Sequence, residues 1–269
     1  MKTPHSFRIR SRRRWTGAVC VTLSALAAAP GHADNLTIRS ALEDGKLYFT
    51  APLHWDEREW LEFGGTLALI GAAHHYDESV RNHFTAGSST ALTQTTAHDA
   101  RDYAPAAAAV LGTFAYAALI NDSSGYREVA SMLEAGALSG IDVTLLKYAA
   151  GRLRPDQTSD PNRWRAHGAS FPAGHASTAF AIGTVLAESG GDDYRWIRRT
   201  LGYGLATATA YVRVRDNAHW LSDTVAGAAL GAVTAQFVMH RRGDPPKDAA
   251  WGIEPVEGGI MLTFSFNPH

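Results

Sequence analysis

Ser170-Phe-Pro-Ala-Gly-His-Ala-Ser177 and Arg213-Val-Arg-Asp-Asn-Ala-His-Trp-Leu-Ser-Asp223 are the two stretches around which this chain is organised. A third, Lys147-Tyr-Ala-Ala-Gly-Arg-Leu-Arg-Pro155, lies just upstream. Among their side chains are three cations, two histidines and one carboxylate that together could bind a phosphate-like oxyanion and attack it with an imidazole.

The residues around these stretches predict helices. Apolar side chains recur at helical spacing over residues 57–75. Further helices are predicted at 105–120, 127–153, 173–188, 194–213 and 218–241, with Pro155 ending the helix over 127–153. A short strand is predicted at 46–50. Because no region alternates strands with helices, the core is predicted to be an all-α bundle.

The C-terminal residues have a different pattern. Residues 251–256 and 260–266 flank Glu257-Gly-Gly259, and apolar side chains alternate along the second segment, which predicts a small β-hairpin. The predicted organisation is therefore a signal peptide over 1–33, a helical domain over 34–242 and a tail with the hairpin over 243–269.

The N terminus has the pattern of a secretory signal. A basic run to Arg14 precedes an uncharged segment, and Gly31-His-Ala33 predicts cleavage before Asp34. Removal of these residues takes 6 of the 25 basic residues and leaves 19 against 26 acidic ones, a net charge of −7. This sign disfavours nucleic acid as a partner. The only cysteine, Cys20, lies in the predicted signal, which excludes disulfides and thiolate chemistry in the mature chain.

The stretch from Ser170 to Ser177 is predicted to start a helix that can bind an anion. Pro172 suits the first turn, where its missing N–H costs no hydrogen bond. Gly174 lets the backbone approach a ligand, and free N–H groups at a helix N terminus attract an anion. His175 could give a proton to a leaving-group oxygen. The alternative is a capped helix start with an incidental histidine.

His219 and Asp223 are four residues apart, a spacing that places both on one face of a helix. The carboxylate can accept from one imidazole nitrogen, fix the tautomer and leave the other nitrogen free to attack. Arg213 lies six residues before His219. The alternative is a surface His–Asp pair.

Lys147 and Arg154 are seven residues apart and are predicted to share one helix face. Two cations on one face repel each other unless an anion lies between them. The alternative is a solvated basic face, and Arg152, which is off this face, indicates that the region tolerates charge.

In combination, Lys-x6-Arg-Pro, Pro-x-Gly-His and Arg-x5-His-x3-Asp occur in that order from Lys147 to Asp223. This arrangement resembles the three-part motif of the type-2 phosphatidic acid phosphatase superfamily, which includes bacterial acid phosphatases, lipid phosphatases and vanadium-dependent haloperoxidases. The resemblance implies a helical bundle with the active site at one end. It also implies a phosphatase for phosphate monoesters or lipid phosphates that needs no metal or other cofactor, and the predicted signal peptide adds the expectation that this phosphatase is exported.

The resemblance implies a role for each matching residue. His219 would be the nucleophile that forms a phosphohistidine, Asp223 would orient it, and His175 would protonate the leaving group and then help activate water. The groups expected to bind the phosphate oxygens are Lys147, Arg154, Arg213 and the backbone N–H of Gly174.

Two positions depart from the family's pattern. Ala173 stands where serine is usual, so one hydrogen bond to the phosphate is expected to be missing, worth about 1.5–3 kcal/mol. Val212 stands where serine often precedes the arginine and is expected to affect only the support of the site. Neither change removes a charged catalytic group, so the sequence predicts an active enzyme.

Several alternatives stay open at this level. A vanadium-type haloperoxidase or a non-catalytic phosphate- or phospholipid-binding protein could use the same anion site. The protein is expected in the periplasm, soluble or at the membrane surface, with an integral inner-membrane location as the alternative. His74 and His75 with Asp77 are a weak metal candidate, better explained as an exposed helix end. His98, Asp99 and Asp102 are weaker still.

Overall fold

A computed structural model describes residues 38–86, 103–120, 122–191, 194–242, 249–256 and 259–266. The predicted signal peptide and the candidate cluster of His98, Asp99 and Asp102 lie outside the described residues.

The described core is helical, which confirms the all-α prediction for the bundle. Its elements are α1 (Ile38–Thr50), a 3-10 turn (Ala51–His54), α2 (Glu57–His75), α3 (Asp77–Thr85), α4 (Ala104–Ile120), α5 (Ser123–Ala150), α6 (Gly174–Glu188), α7 (Arg195–Arg215) and α8 (Leu221–Arg241).

The strand predicted at 46–50 is wrong, because these residues form the end of α1. The Tyr48 hydroxyl donates to Asp142 Oδ2 at 2.5 Å and lies 2.8 Å from Thr234 Oγ1. These tertiary contacts hold the helix against α5 and α8, and such contacts override weak local propensity.

Local signals explain where the helices begin and end. Asp56 and Glu59 form a capping box at the start of α2, and the Asp122 side chain accepts from the N–H groups of Ser124 and Gly125 at the start of α5. Helix α5 stops at Ala150 because Gly151 adopts a left-handed conformation, with φ of 54°. The prediction that this helix continues to residue 153 and is ended by Pro155 is therefore wrong.

Helix α6 lies at the centre of the bundle, packed against α5, α7 and α8. The hydrophobic core between these helices includes Met132, Leu138, Ile182, Val185 and Val238, all buried. Each fully buried side chain of this size contributes about 1.5–3 kcal/mol. α6 and α8 approach closely, since a Cβ added to Gly227 would lie 2.4 Å from the Ala173 carbonyl oxygen. Only glycine permits this distance.

Two of the described helices, α5 and α8, are long and apolar enough to cross a membrane by length and composition. Half of the most apolar window of each is buried inside the bundle. The core helices of a soluble protein meet the same criterion.

Near the C terminus, strands β1 (Ala249–Val256) and β2 (Gly259–Phe266) are antiparallel, with Ala249 opposite Phe266 and Val256 opposite Gly259. The confirmed part of the fold prediction is the helical bundle.

Candidate active site

The three stretches meet at one end of the bundle. This end holds the C termini of α5 and α7 and the N termini of α6 and α8. The backbone N–H of Ala173 donates to the Asp223 carbonyl at 2.9 Å, which joins the start of α6 to that of α8. The N–H of His219 donates to the Arg213 carbonyl at 3.2 Å, which joins the end of α7 to the turn before α8.

The loop after α5 folds back over the end of its own helix. The N–H of Ser170 donates to the Arg152 carbonyl at 3.0 Å, and the Trp220 indole donates to the Leu153 carbonyl at 2.9 Å. Lys147 is in the last turn of α5, whereas Arg154 lies in this loop. The prediction of a shared helix face for the two cations is therefore wrong, because Gly151 ends the helix between them.

His219, predicted to lie in a helix over 218–241, lies outside the observed helix. Helix α8 begins at Leu221 with Trp220 as its N-cap, so His219 belongs to the turn and Asp223 to the first helical turn. The two side chains are nevertheless adjacent, with 3.6 Å between His219 Nδ1 and Asp223 Oδ2. Both are buried, which rules out a solvated surface pair.

The electrostatic environment of His219 favours the neutral imidazole. Burial lowers the pKa of His219 well below its ordinary value. Positive charge lowers this pKa further and comes from four predicted site residues: Arg154, Lys147, Arg213 and His175. Neither ring nitrogen of His219 forms a hydrogen bond with the described residues. The imidazole is thus a neutral, buried base surrounded by cations.

The start of α6 carries the remaining predicted residues. Ala173 is the N-cap and makes no side-chain capping bond, Gly174 is the first helical residue, and His175 follows it. Pro172 precedes the cap, so its predicted place in the first turn is wrong. The His175 ring lies 4.1 Å from the Tyr103 ring between centroids. Val212 is half-buried in the last turn of α7 and is less enclosed than Ala173.

Arg152 is the residue that sequence reasoning missed. Its side chain is completely buried and is therefore not part of a solvated face. Nη1 donates to Asp223 Oδ1 at 2.6 Å and to Ser222 Oγ at 2.8 Å, whereas Nη2 donates to Asp77 Oδ2 at 2.7 Å. Its partners are 75 and 71 positions away along the chain, and no local spacing joins them.

His74 and Asp77 belong to this buried network. Nδ1 of His74 lies 2.9 Å from Asp77 Oδ2, and its Nε2 lies 3.0 Å from Asn162 Oδ1. The interpretation of these residues as an exposed helix end is therefore wrong for Asp77, which is buried. Among the described residues, no group of three or more His, Cys, Asp or Glu side chains is arranged to hold a metal ion.

Comparison with known proteins relates part of this chain to a family. Residues 128–245 match the model of the PAP2 superfamily, a range that contains all three stretches. A lipid A 1-phosphatase of Porphyromonas gingivalis is 34% identical over 119 residues, which are 44% of this chain and 22% of that protein. The match thus spans about a fifth of the length of this relative.

A solved structure, that of Aquifex aeolicus LpxE, is similar over 60% of this chain and 93% of that one, with 20% identity and a TM-score of 0.41. The motif order in the sequence and the family match over 128–245 lead to one assignment, which confirms the resemblance seen in the sequence. Over residues 128–245, which hold all three stretches, this chain is similar to the PAP2 superfamily, the type-2 phosphatidic acid phosphatases.

Proposed function

We propose that this protein is an exported phosphatase that hydrolyses lipid phosphate monoesters through a phosphohistidine formed on His219. The observation that carries the proposal is the buried, neutral imidazole of His219, set 3.6 Å from the Asp223 carboxylate and surrounded by positive charge from all three stretches. A neutral imidazole is the form that can attack phosphorus.

In the first step, the substrate phosphate would be held by Lys147, Arg154, Arg213 and the N–H of Gly174. The lone pair of His219 Nε2 attacks phosphorus, and the bond from phosphorus to the alcohol oxygen breaks. His175 gives its proton to that oxygen as the alcohol leaves. Asp223, whose Oδ2 lies 3.6 Å from His219 Nδ1, would accept from Nδ1–H as the two groups approach and would stabilise the positive charge that develops on the ring.

In the second step, a water molecule attacks the phosphohistidine. His175, now neutral, accepts a proton from this water, the P–N bond breaks, and inorganic phosphate leaves. The cations stabilise the charge on the equatorial oxygens in both steps, as preorganised positive groups do in other phosphoryl transfers.

Two features favour a lipid phosphate as the substrate. First, α4 contains no charged residue, and large apolar side chains are exposed along it: Leu111, Phe114, Leu119 and Ile120. Such a surface suits contact with a membrane or a lipid. Second, a cavity of about 400 Å³ is lined by Leu146, Ala149, Ala150, Trp164, Arg165 and Phe171, beside the loop that carries Arg154. The relative from Porphyromonas gingivalis is named for a lipid substrate.

We place the enzyme in the periplasm, with residues 1–33 as its cleaved signal and 34–242 as the catalytic domain. Residues 243–269 would form the tail with the β-hairpin. The exposed face of α4 would contact the membrane surface.

The test is phosphate release by the chain from Asp34 onward, in EDTA, compared with His219→Ala. p-Nitrophenyl phosphate and a detergent-dispersed lipid phosphate serve as substrates in parallel. We expect activity that persists in EDTA, is lost in the variant and is higher on the lipid. Acid-stable protein phosphate, or equal turnover by His219→Ala, would contradict the histidine mechanism.

The same preparation separates the alternatives. Bromide oxidation that requires vanadate, without phosphate release, would identify a haloperoxidase. Phosphate binding without any turnover would identify a binding protein.

A further inference from the structure

We propose that Arg152 is a positioning residue that holds the Asp223 carboxylate in the orientation needed to act on His219, with Asp77 as its second anchor. This inference rests on the proposed function. It assigns a task to a buried cation that is distinct from the three cations expected to contact phosphate.

The two oxygens of Asp223 have separate partners. Oδ1 accepts from Arg152 Nη1 at 2.6 Å. Oδ2 accepts from the Trp220 N–H at 3.0 Å and from the Ser170 hydroxyl, and it is the oxygen that lies 3.6 Å from His219 Nδ1. Because Arg152 occupies Oδ1, the carboxylate cannot rotate freely, and Oδ2 stays directed at the imidazole.

The guanidinium is itself fixed on every side. Nη2 donates to Asp77 Oδ2 at 2.7 Å and to the Pro161 carbonyl at 2.8 Å, and Nε donates to the same carbonyl at 3.0 Å. Its central carbon lies 4.5 Å from the centroid of the Trp164 ring and 5.3 Å from that of Trp220. A planar group held by two carboxylates and two aromatic rings has little freedom to move.

Asp77 is tied to the start of α8 as well as to Arg152. Its Oδ1 accepts from the Ser222 N–H at 2.8 Å and its Oδ2 from the Ser222 hydroxyl at 2.6 Å. Helix α3 therefore contributes to the orientation of Asp223, the residue that follows Ser222. Charge supports the same conclusion: burial raises the pKa of Asp223, and the positive charge of Arg152 opposes that rise.

The experiment compares Arg152→Gln with the control Arg199→Gln in the chain from Asp34 onward. Arg199 pairs with Glu188 at 2.8 Å, at the opposite end of α6, so the control also removes a largely buried ion pair. We measure kcat for p-nitrophenyl phosphate, the inhibition constant of inorganic phosphate, and the folded fraction by circular dichroism.

We expect kcat per folded molecule to fall at least about thirtyfold in Arg152→Gln, while the phosphate inhibition constant changes less than about threefold, because Lys147, Arg154 and Arg213 are intact. A purely structural role would lower the folded fraction and leave kcat per folded molecule unchanged. That result, or a kcat loss of the same size in Arg199→Gln, would overturn the inference.

Two further variants keep the test decisive if Arg152→Gln does not fold. In Arg152→Lys a single ammonium cannot contact both carboxylates in the same way, so kcat should stay about tenfold below wild type. Asp77→Asn should lower kcat about three- to tenfold, again with little change in phosphate inhibition. Wild-type kcat in both variants would overturn the inference, whereas an inactive wild-type chain would overturn the proposed function and the inference with it.

Discussion

His219 and Asp223 face each other across the start of α8, with 3.6 Å between Nδ1 and Oδ2, although only Asp223 is in the helix. The imidazole is held by the turn before the helix, where the backbone N–H of His219 donates to the Arg213 carbonyl. The pair therefore depends on how the ends of α7 and α8 are joined.

The first prediction concerns Asp223. Asp223→Asn removes the charge that we propose stabilises the imidazolium, while it keeps the shape of the side chain, so kcat should fall at least about a hundredfold. Steady-state kinetics with p-nitrophenyl phosphate measure the effect. The matched control is Glu188→Gln, which changes another buried carboxylate. Glu188 lies at the C-terminal end of α6, away from the site. A comparable loss of kcat in the control would contradict the role of Asp223.

The second prediction concerns pH. Because the pKa of His219 is lowered by burial and by neighbouring cations, its imidazole stays neutral below the ordinary value of about 6.5. We therefore expect the activity that depends on neutral His219, measured as kcat/KM, to be retained as the pH falls through that value. Removal of one positive charge in Arg154→Gln should raise the pKa of His219 and move the acid limb to higher pH.

The measurement is the pH profile of kcat/KM for wild type and Arg154→Gln on one substrate, whose own ionisation is the same in both profiles. An acid limb that stays in place, or moves to lower pH, would contradict this account of the site.

The third prediction concerns Ala173, the N-cap of α6 that makes no side-chain bond. In Ala173→Ser the hydroxyl oxygen can accept from an N–H of the first turn, which should stabilise the fold by about 0.5–2 kcal/mol. Its proton can also be donated to the bound phosphate, which should raise kcat/KM roughly tenfold or more. Urea unfolding and kinetics measure the two effects separately.

Ala179→Ser, a buried substitution inside the same helix, serves as the control for Ala173→Ser and should bring neither gain. No increase in kcat/KM for Ala173→Ser would show that this position does not limit the enzyme.

The fourth prediction concerns the contact between α6 and α8. In Gly227→Ala the added methyl group would lie 2.4 Å from the Ala173 carbonyl oxygen, so the helices must move apart at a cost of about 1–3 kcal/mol. Activity should fall as well, because Ala173 precedes Gly174 and His175. The control is Gly204→Ala in α7, where nothing lies within 4 Å and alanine should stabilise the helix by about 0.5–1 kcal/mol. Equal stability of the two variants in urea would contradict this packing.

The sequence predicted the helical core and the charged stretches because both follow local spacing. Apolar periodicity is visible over 57–75, and the order of Lys147, Gly174 and His219 can be read directly. The roles of these residues stay predictions until the variants are measured.

What the sequence could not predict depends on contacts between distant residues. Arginine is a residue type typical of the protein surface, and only the approach of α3 and α8 shows that Arg152 is buried between Asp77 and Asp223. The boundary at Gly151 was missed for a different reason, since Pro155 is the stronger helix breaker but the left-handed glycine comes first.

The arrangement of helix ends has a practical consequence for single-molecule and surface-tethering work. Gly191, after the end of α6, is exposed and has nothing within 4 Å of an added Cβ. α6 has 15 residues and so separates it from His175 by about 20 Å. Because a chain that starts at Asp34 contains no cysteine, Gly191→Cys would introduce a unique thiol for a fluorophore or a tether, at the end of the bundle remote from the chemistry.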